Sequence, residues 1–186
     1  MRIGQSVVEA GQVLVANVAG HASRAVRLCG ELADGWYPFL VPVSGLKEGM
    51  RLLDEGAARA GRPRPQVSPA IPTAVLPDPA ASREVAAWWV AFYLTSMGPL
   101  YAATLREQGF GEAVDAVVAA NGRGRPLAVP PQAQVLVDEL TLSGDADAAR
   151  AGLERWRAAG AEQPVVVLPP GRPVAELEHT LRALRP

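Results

Sequence analysis

Residues 13–36 most limit the folds open to this chain, because a strand pattern, a loop of small residues and a helix follow one another directly. The run VLVANV at 13–18 is rich in valine, as expected for a strand buried in a parallel sheet. Four apolar residues have the spacing of one buried helix face: Ala25, Leu28, Cys29 and Leu32. Gly35 lies where a left-handed residue would end that helix, and Trp36 opens another apolar run. The stretch therefore predicts a strand–helix–strand unit.

The loop between strand and helix is the candidate binding site, and it consists of Ala19, Gly20, His21, Ala22 and Ser23. A helix that opens after such a loop offers free backbone N–H groups and the positive end of its dipole, which suit a phosphate or a carboxylate. The alternative is that the small residues only let the strand turn closely into the helix. The loop lacks the Gly-Lys-Ser/Thr ending of a P-loop and the full G-x-G-x-x-G pattern.

His21 is the one titratable side chain of this loop. A histidine at a strand end could bind phosphate or act as an acid or base. A hydrogen-bonded histidine without chemistry is the alternative. We name no catalytic residue from the sequence.

Helical and strand patterns alternate through the rest of the chain. Residues 46–57 carry a buried helical stripe, and residues 67–76 and 164–168 have the apolar composition of strands. Pro69 and Pro72 conflict with a central position for residues 67–76, because each removes a ladder donor. We therefore expect that strand to lie at a sheet edge or to be irregular.

A helical region separates those last two strands. Asp78 and Pro79 form a good helix start, and the helix that follows concentrates the aromatic residues Trp88, Trp89, Phe92 and Tyr93. This apolar face could pack on another subunit or on the rest of the domain. It could instead form the wall or lid of a pocket for a planar ligand.

Composition excludes several classes of protein. The chain has 186 residues, 49% of them hydrophobic and 20% charged, with a formal net charge of −1, so we expect a globular protein without a nucleic-acid or membrane partner. The single cysteine, Cys29, excludes an internal disulfide and is expected in the core. The residues show no metal-ligand spacing, so no metal site is predicted. The N-terminal residues lack a signal-peptide pattern, which favours a cytoplasmic location.

Several motifs in order resemble one known family. The segment RLCGELADGW at 27–36 resembles the R-L-A-G-E-x-A-D-G-W segment of the luciferase-like monooxygenase superfamily, most closely its branch that uses the deazaflavin coenzyme F-420. The segment MGPLY at 97–101 and the segment GFGEAVDAV at 109–117 are similar to the M-G-P-x-Y and G-F-G-E-x-V-D-A motifs of that branch. Residues 46–62 and 143–169 resemble its later helices and its last strand.

The resemblance implies an α/β fold, a partial TIM-type (β/α)8 barrel. A complete barrel takes about 250 residues, so the chain corresponds to the C-terminal half, about four βα units. We expect residues 1–186 to form a single domain with a helical insertion at about 79–140. Half a barrel leaves edge strands and an open apolar interior. We therefore expect a homodimer, or a separate chain that completes the barrel.

Two functions follow from the resemblance. The first is a flavin- or deazaflavin-dependent oxidoreductase or monooxygenase, or a subunit of one, in which residues 19–23 hold the phosphate of coenzyme F-420 or FMN for reaction with a small-molecule ligand. The second is a family member without redox activity that serves as a binding, structural or cofactor-free catalytic protein. Arg172, in the loop after the last predicted strand, is either an anion contact or an ordinary surface residue.

Overall fold

The computed structural model describes residues 16–122 and 126–185. The part of the first predicted strand before residue 16 lies outside the described residues. Eleven helical segments and six strands cover most of the described residues, and five of these strands span only two or three residues.

Parallel strands form the centre of the structure, as predicted. The strands are β1 (Asn17–Val18), β2 (Gly35–Trp36), β3 (Gln66–Val67), β4 (Ala70–Val75), β5 (Leu142–Gly144) and β6 (Val165–Val167). One sheet has the order β1-β2-β3 and the other the order β5-β4-β6, and every pairing is parallel. A bridge between Phe39 and Ala70 links the two sheets.

Helices connect these strands, as expected of βα units. They are α1 (Ser23–Leu32), α2 (Leu46–Ala60), α3 (Pro79–Ser96), α4 (Leu100–Leu105), α5 (Gly111–Ala120), α6 (Val135–Leu140), α7 (Ala146–Ala158) and α8 (Val174–Ala183). Two 3₁₀ turns, Val43–Gly45 and Pro131–Ala133, and a π-helical turn, Arg106–Phe110, complete the set. The partial TIM-type barrel is confirmed, and α3 to α6 lie in the predicted insertion between β4 and β5. The extent of the domain stays a prediction.

Of the two alternatives for residues 67–76, an irregular strand agrees with the structure, and an edge position is wrong for β4. The run divides into β3 and β4, and β4 lies between β5 and β6. β6 pairs with residues 70–72 of β4, and β5 pairs with residues 73–75. Pro72 is therefore the last residue of one paired stretch and adjoins the first residue of the other, a position where a missing donor interrupts neither stretch.

Helix α1 ends earlier than predicted, and its buried face differs from the predicted one. Its last turn leads into Ala33 in an extended conformation, and Gly35 lies in β2. A side chain at Gly35 would overlap the Asn17 amide, so this glycine serves a close strand approach. Leu28 is 51% exposed, whereas Cys29 is 2% exposed, which confirms the cysteine as a core residue.

Close packing of α1 against α2 explains the rotated face of α1. A Cβ at Gly30 would overlap the Leu53 carbonyl oxygen, and a Cβ at Gly56 would overlap the Arg27 carbonyl oxygen. The two backbones therefore touch, and contact on that side leaves Leu28 outside. This contact fixes where α1, and thus the candidate loop before it, sits beside α2.

Candidate functional site

The loop of residues 19–23 lies at the carboxyl end of β1, where it leads into α1. Ala19, Ala22 and Ser23 are exposed, Gly20 is buried and His21 is partly buried. The structure therefore places three of the five predicted residues on the surface, at the end of the sheet where α/β proteins bind ligands.

The first turn of α1 leaves its backbone donors available. Ala22, the residue before the helix, is extended and has no capping side chain, and the turn contains no acidic residue. The helix spans ten residues, so its dipole adds positive potential at this end. Nothing among the described side chains competes with an anion for these N–H groups through an N-cap.

Trp36 fixes the position of the loop. Its indole nitrogen, Nε1, donates a buried hydrogen bond of 2.9 Å to the Gly20 carbonyl oxygen. The indole also lies against Gly49 of α2, where any side chain would overlap the ring. Because the carbonyl and the next N–H of a trans peptide point in opposite directions, the His21 N–H is directed away from the indole.

A cavity of about 260 Å³ adjoins the loop. His21 and Ser23 form one side of it, and Trp36 lines it. Polar groups come from Glu48 of α2, Thr104 of α4 and Gln108 of the π-helical turn after α4. Sequence reasoning missed the last three, because they come from distant parts of the chain. The loop thus borders both this cavity and the N-terminal end of α1.

His21 is held by an aromatic contact. Its ring meets Tyr101 edge to face, with centroids 5.4 Å apart. Burial lowers the pKa of His21 below its usual value, so the ring is neutral at pH 7. Nδ1 is buried and has no hydrogen-bond partner among the described residues. The imidazole therefore offers hydrogen bonding, but it offers no positive charge to a phosphate.

Comparison with known proteins decides the family. The sequence profile described as luciferase-like monooxygenase matches residues 16–163. The chain belongs to the luciferase-like monooxygenase family. A comparison with curated protein sequences found no match.

Solved structures agree on the fold of this luciferase-like chain. The coenzyme F-420-dependent tetrahydromethanopterin reductase from Methanopyrus kandleri superposes with a TM-score of 0.69 and 21% identity, covering 90% of this chain and 48% of its own. An F-420-dependent secondary alcohol dehydrogenase gives 0.56 and 16%, covering 91% and 48%. The FMN-bound oxygenating constituent of 3,6-diketocamphane monooxygenase from Pseudomonas putida gives 0.53 and 14%, covering 81% and 40%. The chain spans about half the length of these proteins or somewhat less.

Acidic groups restrict where the luciferase-like chain could hold an anion. Glu48 and Glu107 both line the cavity. A hydrogen bond from Arg51 lowers the pKa of Glu48, which keeps this carboxylate charged. Two carboxylates disfavour a phosphate inside the cavity, whereas the first turn of α1 contains no acidic residue.

A row of aromatic rings extends from this loop to α3. Tyr101 contacts Tyr93 at 5.3 Å, Tyr93 contacts Phe92 at 5.6 Å, and Phe92 stacks on Trp88 at 5.3 Å. Trp89, the neighbouring tryptophan, is buried in the core. Helix α3 therefore packs Trp89 into the core, whereas its residues Trp88, Phe92 and Tyr93 form part of the row.

Other candidate groups lie elsewhere in the luciferase-like chain. Arg172 follows β6 and is paired with Glu176 at 2.6 Å, at a groove that does not include the loop. Among residues 16–122 and 126–185, no cluster of histidine, cysteine or acidic side chains could hold a metal ion. No described helix is both long and apolar enough to cross a membrane.

Proposed function

We propose that this chain is the C-terminal half of a flavin- or deazaflavin-dependent oxidoreductase or monooxygenase, and that residues 19–23 hold the phosphate of its coenzyme. One observation carries the proposal: an uncapped ten-residue helix opens at Ser23, behind a loop anchored by Trp36. Free backbone donors at a fixed helix end are the chemistry that a phosphate requires.

Coenzyme F-420 and FMN both carry a phosphate, the group that this end of α1 would bind. The motif at residues 27–36 favours coenzyme F-420. When bound, either coenzyme supplies the redox chemistry, hydride transfer for F-420 and oxygenation for FMN, while the protein supplies position.

The residues of this chain would have separate tasks. The N–H groups of His21 and of the first turn of α1 would bind phosphate oxygens, with the Ser23 hydroxyl beside them. Arg24, exposed in the same turn, would add positive charge. The neutral His21 ring, held by Tyr101, would shield the cavity side of the phosphate from water.

The proposal includes a partner that completes the barrel, either a second copy of the chain or a separate chain. In the described part of the chain, β1 pairs only with β2, and β6 pairs only with β4. Asn17 and Val18 of β1 are exposed. Light scattering on the purified protein should give twice the mass of one chain, or a mass that doubles when the completing chain is added; a stable monomer that binds coenzyme would contradict this part.

Titration with coenzyme F-420, and separately with FMN, tests the coenzyme site through tryptophan fluorescence. Trp36 contacts the loop, so binding should quench its emission in a saturable way. A Cβ at Gly20 would already lie 3.2 Å from the Ala25 Cβ, so Gly20→Leu should weaken binding at least about tenfold by displacing the loop.

Gly122→Leu is the matched control, because a Cβ at Gly122 has open space around it. It should bind as the unaltered protein does. If the folded protein binds neither coenzyme at millimolar concentration, the redox proposal fails. The alternative, a cofactor-free binding or structural member of the family, would then stand.

A further inference from the structure

A second hollow, here called the Trp88 groove, lies between α3 and the loop after β6. Its volume is about 460 Å³, and the lining residues used in the argument below are Glu84, Val85, Trp88, Pro169, Pro170 and Arg172. It shares no lining residue with the cavity beside residues 19–23. On one side the groove is lined by the loop after the carboxyl end of β6, and barrels bind their ligands on the face formed by such strand ends.

Trp88 gives this groove a flat apolar surface. Phe92 stacks on the indole almost in parallel, with an interplanar angle of 9°, so the ring is held in one orientation. The indole is nevertheless 36% exposed. An aromatic surface that is fixed but uncovered favours a planar ligand, because stacking adds to the area buried. Pro169 and Pro170 line the same groove and restrict its shape on the side of the β6 loop.

Arg172 gives the groove a guanidinium that is held in place by an ion pair. The Glu176 carboxylate engages its Nε atom at 2.7 Å and its Nη2 atom at 2.6 Å. No described residue pairs with the remaining nitrogen, Nη1. A guanidinium held on one edge loses little freedom when its other edge binds an anion. Glu84 is the one acidic side chain lining the groove, and it should oppose an anionic ligand.

We propose that the Trp88 groove binds a small planar aromatic anion, such as an aromatic carboxylate. The ring would stack on Trp88 beside the two prolines, and the carboxylate would bind Arg172. This site is separate from the proposed coenzyme site and does not depend on it. The row of rings from Trp88 to His21 makes the two sites ends of one aromatic surface.

Isothermal titration calorimetry of the protein with naphthoate tests the proposal. Trp88→Ala should weaken binding about tenfold through lost stacking, and Arg172→Gln should weaken it about tenfold through the lost charge. Glu84→Gln should strengthen it about twofold to threefold, because it removes a repulsive carboxylate. These opposite signs would not arise from general loss of structure.

Leu181→Ala is the control, since it removes an exposed apolar side chain of α8 that does not line the groove. Circular dichroism checks that each variant is folded. Three results would overturn the proposal: no saturable naphthoate binding at millimolar concentration, equal affinity in Arg172→Gln, or tighter binding of naphthylmethylamine than of naphthoate.

Coenzyme titrations on the same variants separate this proposal from the previous one. Trp88→Ala should bind coenzyme as the unaltered protein does, and Gly20→Leu should bind naphthoate normally. Competition between coenzyme and naphthoate would show that the coenzyme itself occupies the groove and would refute a second site.

Discussion

The buried hydrogen bond from Trp36 to Gly20 can be measured because the chain contains a matched tryptophan without one. Trp36 and Trp156 are each 2% exposed. The Trp36 indole nitrogen donates to the Gly20 carbonyl oxygen, whereas the Trp156 indole nitrogen has no partner among the described residues. Changing each to phenylalanine removes the same group from the same degree of burial. Only one of the changes breaks a hydrogen bond.

The two variants should differ by about 2 kcal/mol in the free energy of unfolding. Trp36→Phe leaves the Gly20 carbonyl buried and unpaired, which costs about 1–3 kcal/mol. Trp156→Phe removes a donor that is already unpaired, so part of its packing loss is offset. A difference of this size is large beside a total stability of about 5–15 kcal/mol and corresponds to about 4–8 °C in Tm for a chain of this length.

Urea unfolding followed by far-ultraviolet circular dichroism measures the difference without depending on tryptophan emission. The slopes of the two transitions should agree, so that the midpoints report stability alone. If Trp156→Phe destabilises the protein as much as Trp36→Phe or more, the hydrogen bond contributes nothing and Trp36 does not anchor the loop. Trp36→Phe should also weaken coenzyme binding, while Trp156→Phe should not.

Three further predictions concern the same elements. Gly56→Ala should destabilise the protein by about 1–3 kcal/mol, because the new Cβ would overlap the backbone of α1, whereas Gly111→Ala, at a helical position with space, should stabilise it by up to about 1 kcal/mol in thermal unfolding. Burial lowers the pKa of His21, so the stability contributed by its neutral ring should be lost as the pH falls below the usual value of 6.5. His21→Gln should flatten this fall in urea titrations across pH, and an unchanged pH dependence in this variant would contradict the prediction. Burial raises the pKa of Cys29 to about 11, so the thiol should react with a disulfide reagent only after unfolding, and rapid reaction of the folded protein would contradict its core position.

Local pattern predicted most of the strands and helices in order, but it missed β5 and the division of residues 67–76 into β3 and β4. Valine-rich runs gave the sites of β1 and β6, and Asp78 and Asp145 accept hydrogen bonds from the first turns of α3 and α7, as N-cap residues do. The end of α1 was wrong at Gly35 because a glycine in sequence does not show whether it serves a left-handed turn or a close approach. The close approach depends on Asn17, eighteen residues earlier.

Only those parts of the candidate site that are formed by residues adjacent in sequence could be predicted. The loop from Ala19 to Ser23 followed from a strand that runs directly into a helix. Thr104 and Gln108, which border the cavity, come from a segment about eighty residues later, and no spacing rule links them to the loop. Trp36 had a weak signal, since a large aromatic residue next to Gly35 and opposite Gly49 suggests a ring packed on backbone. The hydrogen bond that it donates depends on the fold.

The hydrogen bond from Trp36 to the Gly20 carbonyl oxygen gives a physical reason why the N-terminal end of α1 would suit an anion. An uncapped helix end with a mobile loop before it would let the Gly20–His21 peptide rotate, and its carbonyl could then turn toward the anion and repel it. The indole hydrogen bond holds that carbonyl inward, and planarity of the peptide then directs the His21 N–H outward. A Cβ at Gly20 would lie 3.2 Å from the Ala25 Cβ, so glycine fits this buried position with the least adjustment. The same few atoms therefore explain why the loop is small and why a tryptophan packs against it, and they support the proposal that an anion binds at α1 and not in the acidic cavity beside it.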